Sequence, residues 1–330
     1  MTPPLKVASL AEGRDCRLVV VSPTIDRYLP APEAFPTLQD ALDDWQTAAP
    51  VLAQLYTQLA QDPAAGVPLD VTALAAPLPR AYHWAEASTY LSHMRRIRAA
   101  RGVPMPADPS RHVLYQSGST GNLPPVGRAP LAEPDLGLDL EATVAVITDD
   151  VPQGTPVDRA GAHVALVTLV NDLTLRHVMP LEYANGIGPY QAKPNRPYAP
   201  VAASPAALGA AWDPDAGVLA AQLRVRVNGE ELGRLHTASG MSAGFTEIIA
   251  FATRTRPLEA GSVIGSGTVS NEDPAHGYGC LAERAAVEGR FDDATYLQVG
   301  DVVEIEAFDA DGRSVFGAIT TTIVAPDQAA

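Results

Sequence analysis

Two carboxylates at the ends of apolar runs are the first residues of this sequence that could do chemistry. Glu141 opens a run that continues through Val144-Ala-Val-Ile-Thr148, and Asp172 closes another that starts at Val164. An inward-pointing carboxylate at a strand end is costly unless a cation or a donor meets it. Two of them could share a hard divalent cation, Mg²⁺ or Ca²⁺, through oxygen ligands. Solvated acids capping strand ends would have the same spacing. Arg176 follows Asp172 by four residues, and Lys193 ends Gly186-Ile-Gly-Pro-Tyr-Gln-Ala-Lys193, where the glycines suit a backbone that a ligand approaches closely. A cation there could take a substrate carboxylate or end a solvated loop. Gly265-Ser-Gly-Thr268-Val-Ser has neither the P-loop lysine nor the dinucleotide glycine spacing, which excludes a nucleotide site. The dense Gly277-Tyr-Gly-Cys280 segment then brings in Glu283. Neither a Gly-x-Ser-x-Gly elbow nor a His-Glu-x-x-His pair is present, so serine hydrolase and zinc protease chemistries have no support.

The elements that must position these residues are mostly strands. Arg17-Leu-Val-Val-Val-Ser22 is rich in β-branched residues. Thr37-Leu-Gln-Asp40 reads as an N-cap with an acidic third residue, followed by Leu38, Leu42 and Trp45 on one helical face. Pro50 is expected to end that helix, with a second one carrying Leu52, Leu55 and Leu59. Residues 62–82 are a proline-rich connection. A helix from about Ser88 places Tyr90, Met94 and Ile97 on one face and His93 on another. Residues 103–135 read as a loop. Beyond it, 144–148, 164–170 and 219–227 are strand-like, Asn228-Gly229 signals a hairpin, 246–253 reads as a helix, and 301–317 form a last hairpin around Asp311-Gly312. Few crossover helices separate these strands, which favours an antiparallel or mixed sheet over a doubly wound one.

With 330 residues, 46% hydrophobic and 18% charged, the chain has the length and composition of a globular protein with a large core. A net charge of −15 without an offsetting basic run argues against nucleic acid or an anionic membrane as partner. Arg95, Arg96, Arg98 and Arg101 at helical spacing read as a solvated face. Two cysteines, Cys16 and Cys280, are too few and too far apart for a disulfide scaffold or a zinc motif. The N-terminus does not have the pattern of a signal peptide, and no apolar run approaches a membrane span. A cytoplasmic, soluble protein is expected.

Taken in order, the motifs resemble the fumarylacetoacetate hydrolase family from about Leu5 to Val324. The resemblance rests on Pro-Leu-Pro-Arg-Ala-Tyr ending at Tyr82, on Glu141-Ala-Thr-Val-Ala-Val-Ile-Thr-Asp-Asp-Val-Pro152, and on Asn171-Asp-Leu-Thr-Leu-Arg176. It continues in Gly265-Ser-Gly-Thr-Val-Ser-Asn271 and Asp309-Ala-Asp-Gly-Arg-Ser-Val-Phe-Gly-Ala-Ile319. It implies an α+β fold: a mixed β-roll core over 77–330 and a smaller strand and helical region over 1–76. It also implies a homodimer, a bound Mg²⁺, Mn²⁺ or Ca²⁺, and hydrolysis of a carbon–carbon bond in a β-diketo acid. By position, Glu86, Glu141 and Asp172 would hold the metal and His93 would activate water, oriented by Glu283. Lys193 would add positive charge and supply a proton, while Arg101, Tyr115, Arg176 and Thr268 would bind substrate. In the family's Asp-x-Glu-x-Glu stretch both glutamates hold the metal; here the second is Thr143. Glu86 stands where the family has aspartate, Gly-Ser-Thr-Gly-Asn at 118–122 replaces an acidic stretch, and Glu272 replaces a lysine. Losing one carboxylate should weaken metal binding by at least about 10–100-fold.

Three functions stay open on the sequence: hydrolysis of an acylpyruvate-like substrate, decarboxylation or tautomerisation of a keto acid on the same scaffold, and a binding protein whose turnover is impaired by Thr143.

Overall fold

The apolar runs pair into one long sheet. A computed structural model describes residues 2–108, 114–186 and 188–328. Residues 109–113 of the expected loop, and Ile187 in the glycine stretch before Lys193, lie outside them. The ten strands run in the order Val67–Pro68, Arg27–Pro30, Arg17–Val21, Lys6–Leu10, Ala202–Ala203, Val164–Asn171, Ala142–Thr148, Ser262–Thr268, His83–Ala87 and Leu114–Gln116. Every pairing is antiparallel except that of Ser262–Thr268 with His83–Ala87. The two longest central strands, Ala142–Thr148 and Val164–Asn171, are buried along their whole length. That is why they read as continuous apolar runs rather than alternating ones.

A second sheet of five strands has the order Glu230–His236, Gln222–Val227, Val302–Phe308, Ile319–Val324 and Val126–Pro130. Its first hairpin turns at Asn228-Gly229 with φ of 54° and 80°, the left-handed pair that a tight two-residue turn requires. Val144, Val146 and Leu169 of the long sheet share one apolar cluster with Leu223, Val225, Ile305 and Phe316 of the second. The fold is thus α+β, with mixed sheets and no parallel doubly wound core.

The other face of the long sheet is covered by the N-terminal helices. Leu38, Leu42, Trp45 and Leu52 cluster with Trp84, Ala145, Ile147, Val170 and Val263. Thr37 caps the helix Leu38–Asp43 as expected: its side chain accepts from the Asp40 amide, and the Asp40 carboxylate accepts from the Thr37 amide. Pro50 does not end a helix. The break falls at Asp44, and the next helix, Trp45–Gln61, runs through Pro50. Proline near a helix start forfeits only one backbone bond, which burial of Trp45, Ala48, Ala49 and Leu52 on the sheet outweighs.

Candidate active site

Glu86 is carried on His83–Ala87, next to Ser262–Thr268, where its register partner is Gly265. A Cβ on Gly265 would clash with the Glu86 carboxylate. Glycine at 265 thus leaves room for the acid to lie over that strand. The Gly267 amide donates to Glu86 Oε1 at 2.7 Å, whereas Oε2 is buried with no hydrogen-bond partner. Burial, and then the charges of Asp172 and Glu141, push its pKa well above the usual carboxylate range against the pull of Lys193 and Arg196. The Gly-Ser-Gly motif thus serves a protein carboxylate, not a nucleotide.

Around Glu86 lies a buried cluster of opposite charges. Lys193 Nζ is 2.5 Å from Glu141 Oε2 and 2.6 Å from Asp172 Oδ2, and it is fully enclosed. Arg176 places Nη2 2.7 Å from Glu141 Oε1 and Nε 2.8 Å from Asp139 Oδ2. Arg196 Nε is 2.8 Å from Asp172 Oδ1. The Asp172 oxygens lack a well-directed hydrogen-bond donor, so their neutralisation is ionic rather than by aligned bonds. Burial opposes the ionised form of Glu141, yet Lys193 and Arg176 outweigh it and hold the carboxyl below its usual range. Burial likewise opposes the Lys193 ammonium, and Asp172 and Glu141 outweigh it in turn. Thr143 is fully buried on Ala142–Thr148, and its hydroxyl has no partner.

His93 lies on the helix Leu91–Ala100 and Glu283 on the helix Leu281–Val287. His93 Nδ1 and Glu283 Oε2 are 2.9 Å apart, although 190 residues separate them in sequence. The other Glu283 oxygen accepts from Arg96 Nη1 at 2.5 Å and from Ser270 Oγ at 2.6 Å. A buried carboxylate on Nδ1 selects the tautomer with the proton there, leaving Nε2 as an acceptor. Burial would raise the Glu283 pKa, but the bonds from His93, Ser270 and Arg96 keep it low. Asp139 steadies the helix that carries Glu283, accepting from the amides of Leu281 and Ala282 at 2.8 and 3.0 Å.

A cavity of about 590 Å³ opens over these groups, and His93, Arg101, Tyr115, Glu141, Arg176 and Thr268 all line it. Apolar wall comes from Met94, Ile97, Val103 and Met179. Arg101 has no carboxylate within ion-pair distance among the described residues, and burial, followed by the nearby Arg176 charge, lowers its pKa. Tyr115 stays a neutral phenol, its pKa raised by burial and then by Glu86 and Asp172. Glu86, Asp172, Lys193 and Glu283 are buried residues outside the cavity lining. Lys193 is therefore an internal counter-ion rather than a solvated loop lysine. A larger groove of about 800 Å³ on the second sheet is lined by Arg224 and Arg234, which are already paired with Glu306 and Glu231, and it holds none of these residues. Asp139, Ser270 and Arg196 were not singled out from the sequence, and Arg96, read there as part of a solvated face, is instead drawn inward by its ion pair with the buried Glu283.

Residues 82–324 match the C-terminal domain of fumarylacetoacetate (FAA) hydrolase, and residues 5–80 match N-terminal domain 2 of fumarylacetoacetase. The chain belongs to the fumarylacetoacetate hydrolase family. Solved structures share its fold over nearly the whole length. A probable 2-hydroxyhepta-2,4-diene-1,7-dioate isomerase from Mycobacterium abscessus is 21% identical with a TM-score of 0.67, covering 98% of both chains. A fumarylacetoacetate hydrolase from the psychrophile Exiguobacterium antarcticum is 19% identical with a TM-score of 0.68, covering 97% of this chain and 99% of its own. A maleylpyruvate hydrolase from a Sphingobium species, solved with manganese(II) and pyruvate, is 14% identical with a TM-score of 0.63 and the same coverage. No curated protein matches the sequence. No helix among the described residues is long and apolar enough to cross a membrane.

The donor chemistry around Glu86 fits the hard divalent cation that the family implies. The groups are oxygens, they are buried, and Glu86 Oε2 and Thr143 Oγ1 lack partners. Their spacing is less closed. Among the described residues, the one trio of His, Cys, Asp or Glu ligand atoms within 4.8 Å of one another is His93, Cys280 and Glu283. Cys280 Sγ in that trio accepts from the Glu283 amide at 3.4 Å, and both Glu283 oxygens are engaged.

Proposed function

We propose that this chain hydrolyses a carbon–carbon bond in a β-diketo acid of the acylpyruvate type. The observation that carries the reading is the 2.9 Å contact between His93 Nδ1 and Glu283 Oε2 at the wall of a cavity lined by Arg101 and Arg176. With Nδ1 held by the carboxylate, His93 Nε2 takes a proton from water as its oxygen attacks the acyl carbonyl. The bond to the central carbon breaks, its electron pair passes to the pyruvate enolate, and the proton that His93 took from water completes pyruvate. Arg101, which has no carboxylate within ion-pair distance among the described residues, supplies positive charge for the substrate carboxylate, with Arg176 beside it. Tyr115 and Thr268 offer hydroxyl donors to the oxo groups. Glu86, Glu141 and Asp172 would hold a divalent metal, Mg²⁺, Mn²⁺ or Ca²⁺, which polarises the diketo oxygens when bound. Lys193 holds Glu141 and Asp172 in place and keeps positive charge near the developing enolate. The homodimer implied by the resemblance belongs to the same proposal.

The test is product analysis by NMR after incubation with a series of acylpyruvates and Mn²⁺, beside His93→Asn. Hydrolysis releases pyruvate and one carboxylic acid, and His93→Asn abolishes it. Carbon dioxide as product, or turnover that survives His93→Asn, would refute the reading.

A further inference from the structure

Arg196 carries a charge that the proposed chemistry does not use. It is fully buried on the two-residue strand Arg196–Pro197, paired with Asn122–Leu123. Two of its guanidinium nitrogens donate hydrogen bonds and the third has an ionic contact only. Nε faces Asp172 Oδ1 at 2.8 Å, Nη1 donates to the Gly118 carbonyl at 2.6 Å, and Nη2 donates to Ser117 Oγ. Its Cζ lies 4.7 Å from the centroid of the Trp84 ring. The acceptor on Gly118 is its backbone carbonyl, at the start of the stretch 118–122.

The consequence is a different charge balance. Four buried carboxylates (Glu86, Asp139, Glu141 and Asp172) face three buried cations, Arg176, Lys193 and Arg196. Thr143, where a further carboxylate would stand, is neutral. Both oxygens of Asp172 already have a cationic partner, Lys193 on one and Arg196 on the other. A divalent cation entering this set would overshoot neutrality, and a guanidinium cannot discharge by losing its proton.

We infer that Arg196 is a resident cation that competes with the divalent metal for Asp172, so that it sets a weak metal affinity. This rests on the reading of the carboxylate cluster as a metal site. The experiment is titration of chelator-treated wild type, Arg196→Met and Arg196→Lys with Mn²⁺, followed by the EPR signal of the free ion and by calorimetry. Circular-dichroism melts check that each variant is folded. The wild type is expected to bind in the millimolar range, Arg196→Met at least about tenfold more tightly, and Arg196→Lys between the two, because a buried ammonium can give up its proton. Folded Arg196→Met that binds no more tightly than wild type overturns the inference. Should Arg196→Met not fold, Ser117→Ala replaces it. That variant frees one edge of the guanidinium and is expected to tighten binding by about threefold, and an unchanged affinity overturns the inference. Micromolar binding by the wild type that the variants leave unchanged refutes the role of Arg196 alone. Absence of Mn²⁺ uptake by every protein, even at millimolar concentration, refutes the metal reading together with it.

Discussion

Replacing Lys193 with methionine removes the ammonium while keeping most of the side-chain volume. In the native fold that ammonium lies 2.5 Å from Glu141 Oε2 and 2.6 Å from Asp172 Oδ2, with no solvent contact. The variant therefore leaves two buried carboxylates with only their arginine partners, and breaking a buried pair by removing one member costs about 3–5 kcal/mol. An unfolding entropy of about 2.1 cal/mol/K per residue, over 330 residues, gives about 0.7 kcal/mol per degree. The expected loss in Tm is thus about 4–7 °C at neutral pH, read by circular dichroism in chelator. The pH dependence has a definite sign. Glu141 titrates below its ordinary 4.5 in the folded state, so its ion pairs add stability that is present above 4.5 and is lost as pH falls through the folded value. Lys193→Met lacks part of that contribution, so the gap between the two melting curves is widest at neutral pH and narrows below 4.5. A gap under about 1 °C, or one that does not change with pH, would refute the reading of Lys193 as the internal counter-ion.

Two further outcomes follow from named contacts. Glu283→Gln lets an amide face His93 Nδ1 and removes the preference for the tautomer with a free Nε2; kcat on the best acylpyruvate is expected to fall by about 10²–10⁴-fold with the fold retained, and a loss below tenfold would show that His93 needs no carboxylate. Lys6 is buried against the carbonyls of Pro23 and Val315, each 3.1 Å away, and burial lowers its pKa from 10.5 to about 8 despite the Asp309 charge. Between those values the unfolded chain carries the proton and the folded one does not, so stability rises with pH across that window; urea midpoints should show this increment in wild type and not in Lys6→Met.

Much of the architecture is legible in local patterns. The buried runs at 142–148 and 164–171, the turn at Asn228-Gly229 and the capping pair Thr37–Asp40 rest on residue types within a few positions of one another. Each reflects backbone preference or short-range hydrogen bonding, which sequence displays directly. Pro50 shows the limit. Its local tendency to end a helix yields to the packing of Trp45 and Leu52 on a sheet strand more than 90 positions away in the chain, around Ala145.

The candidate site divides the same way. Residue types alone say which side chains can titrate, donate or ligate, and their order resembles that of the fumarylacetoacetate hydrolase family. Which charges are buried, and which partner neutralises each, depends on how the distant segments pack. That packing set Glu283 on His93, laid Glu86 over Gly265, enclosed Lys193 between Glu141 and Asp172, and added Arg196 to Asp172. The physical reason is that the energy of a charge depends on desolvation and on neighbours within a few ångströms. Those neighbours come from strands and helices far apart in the chain, so no local pattern records them.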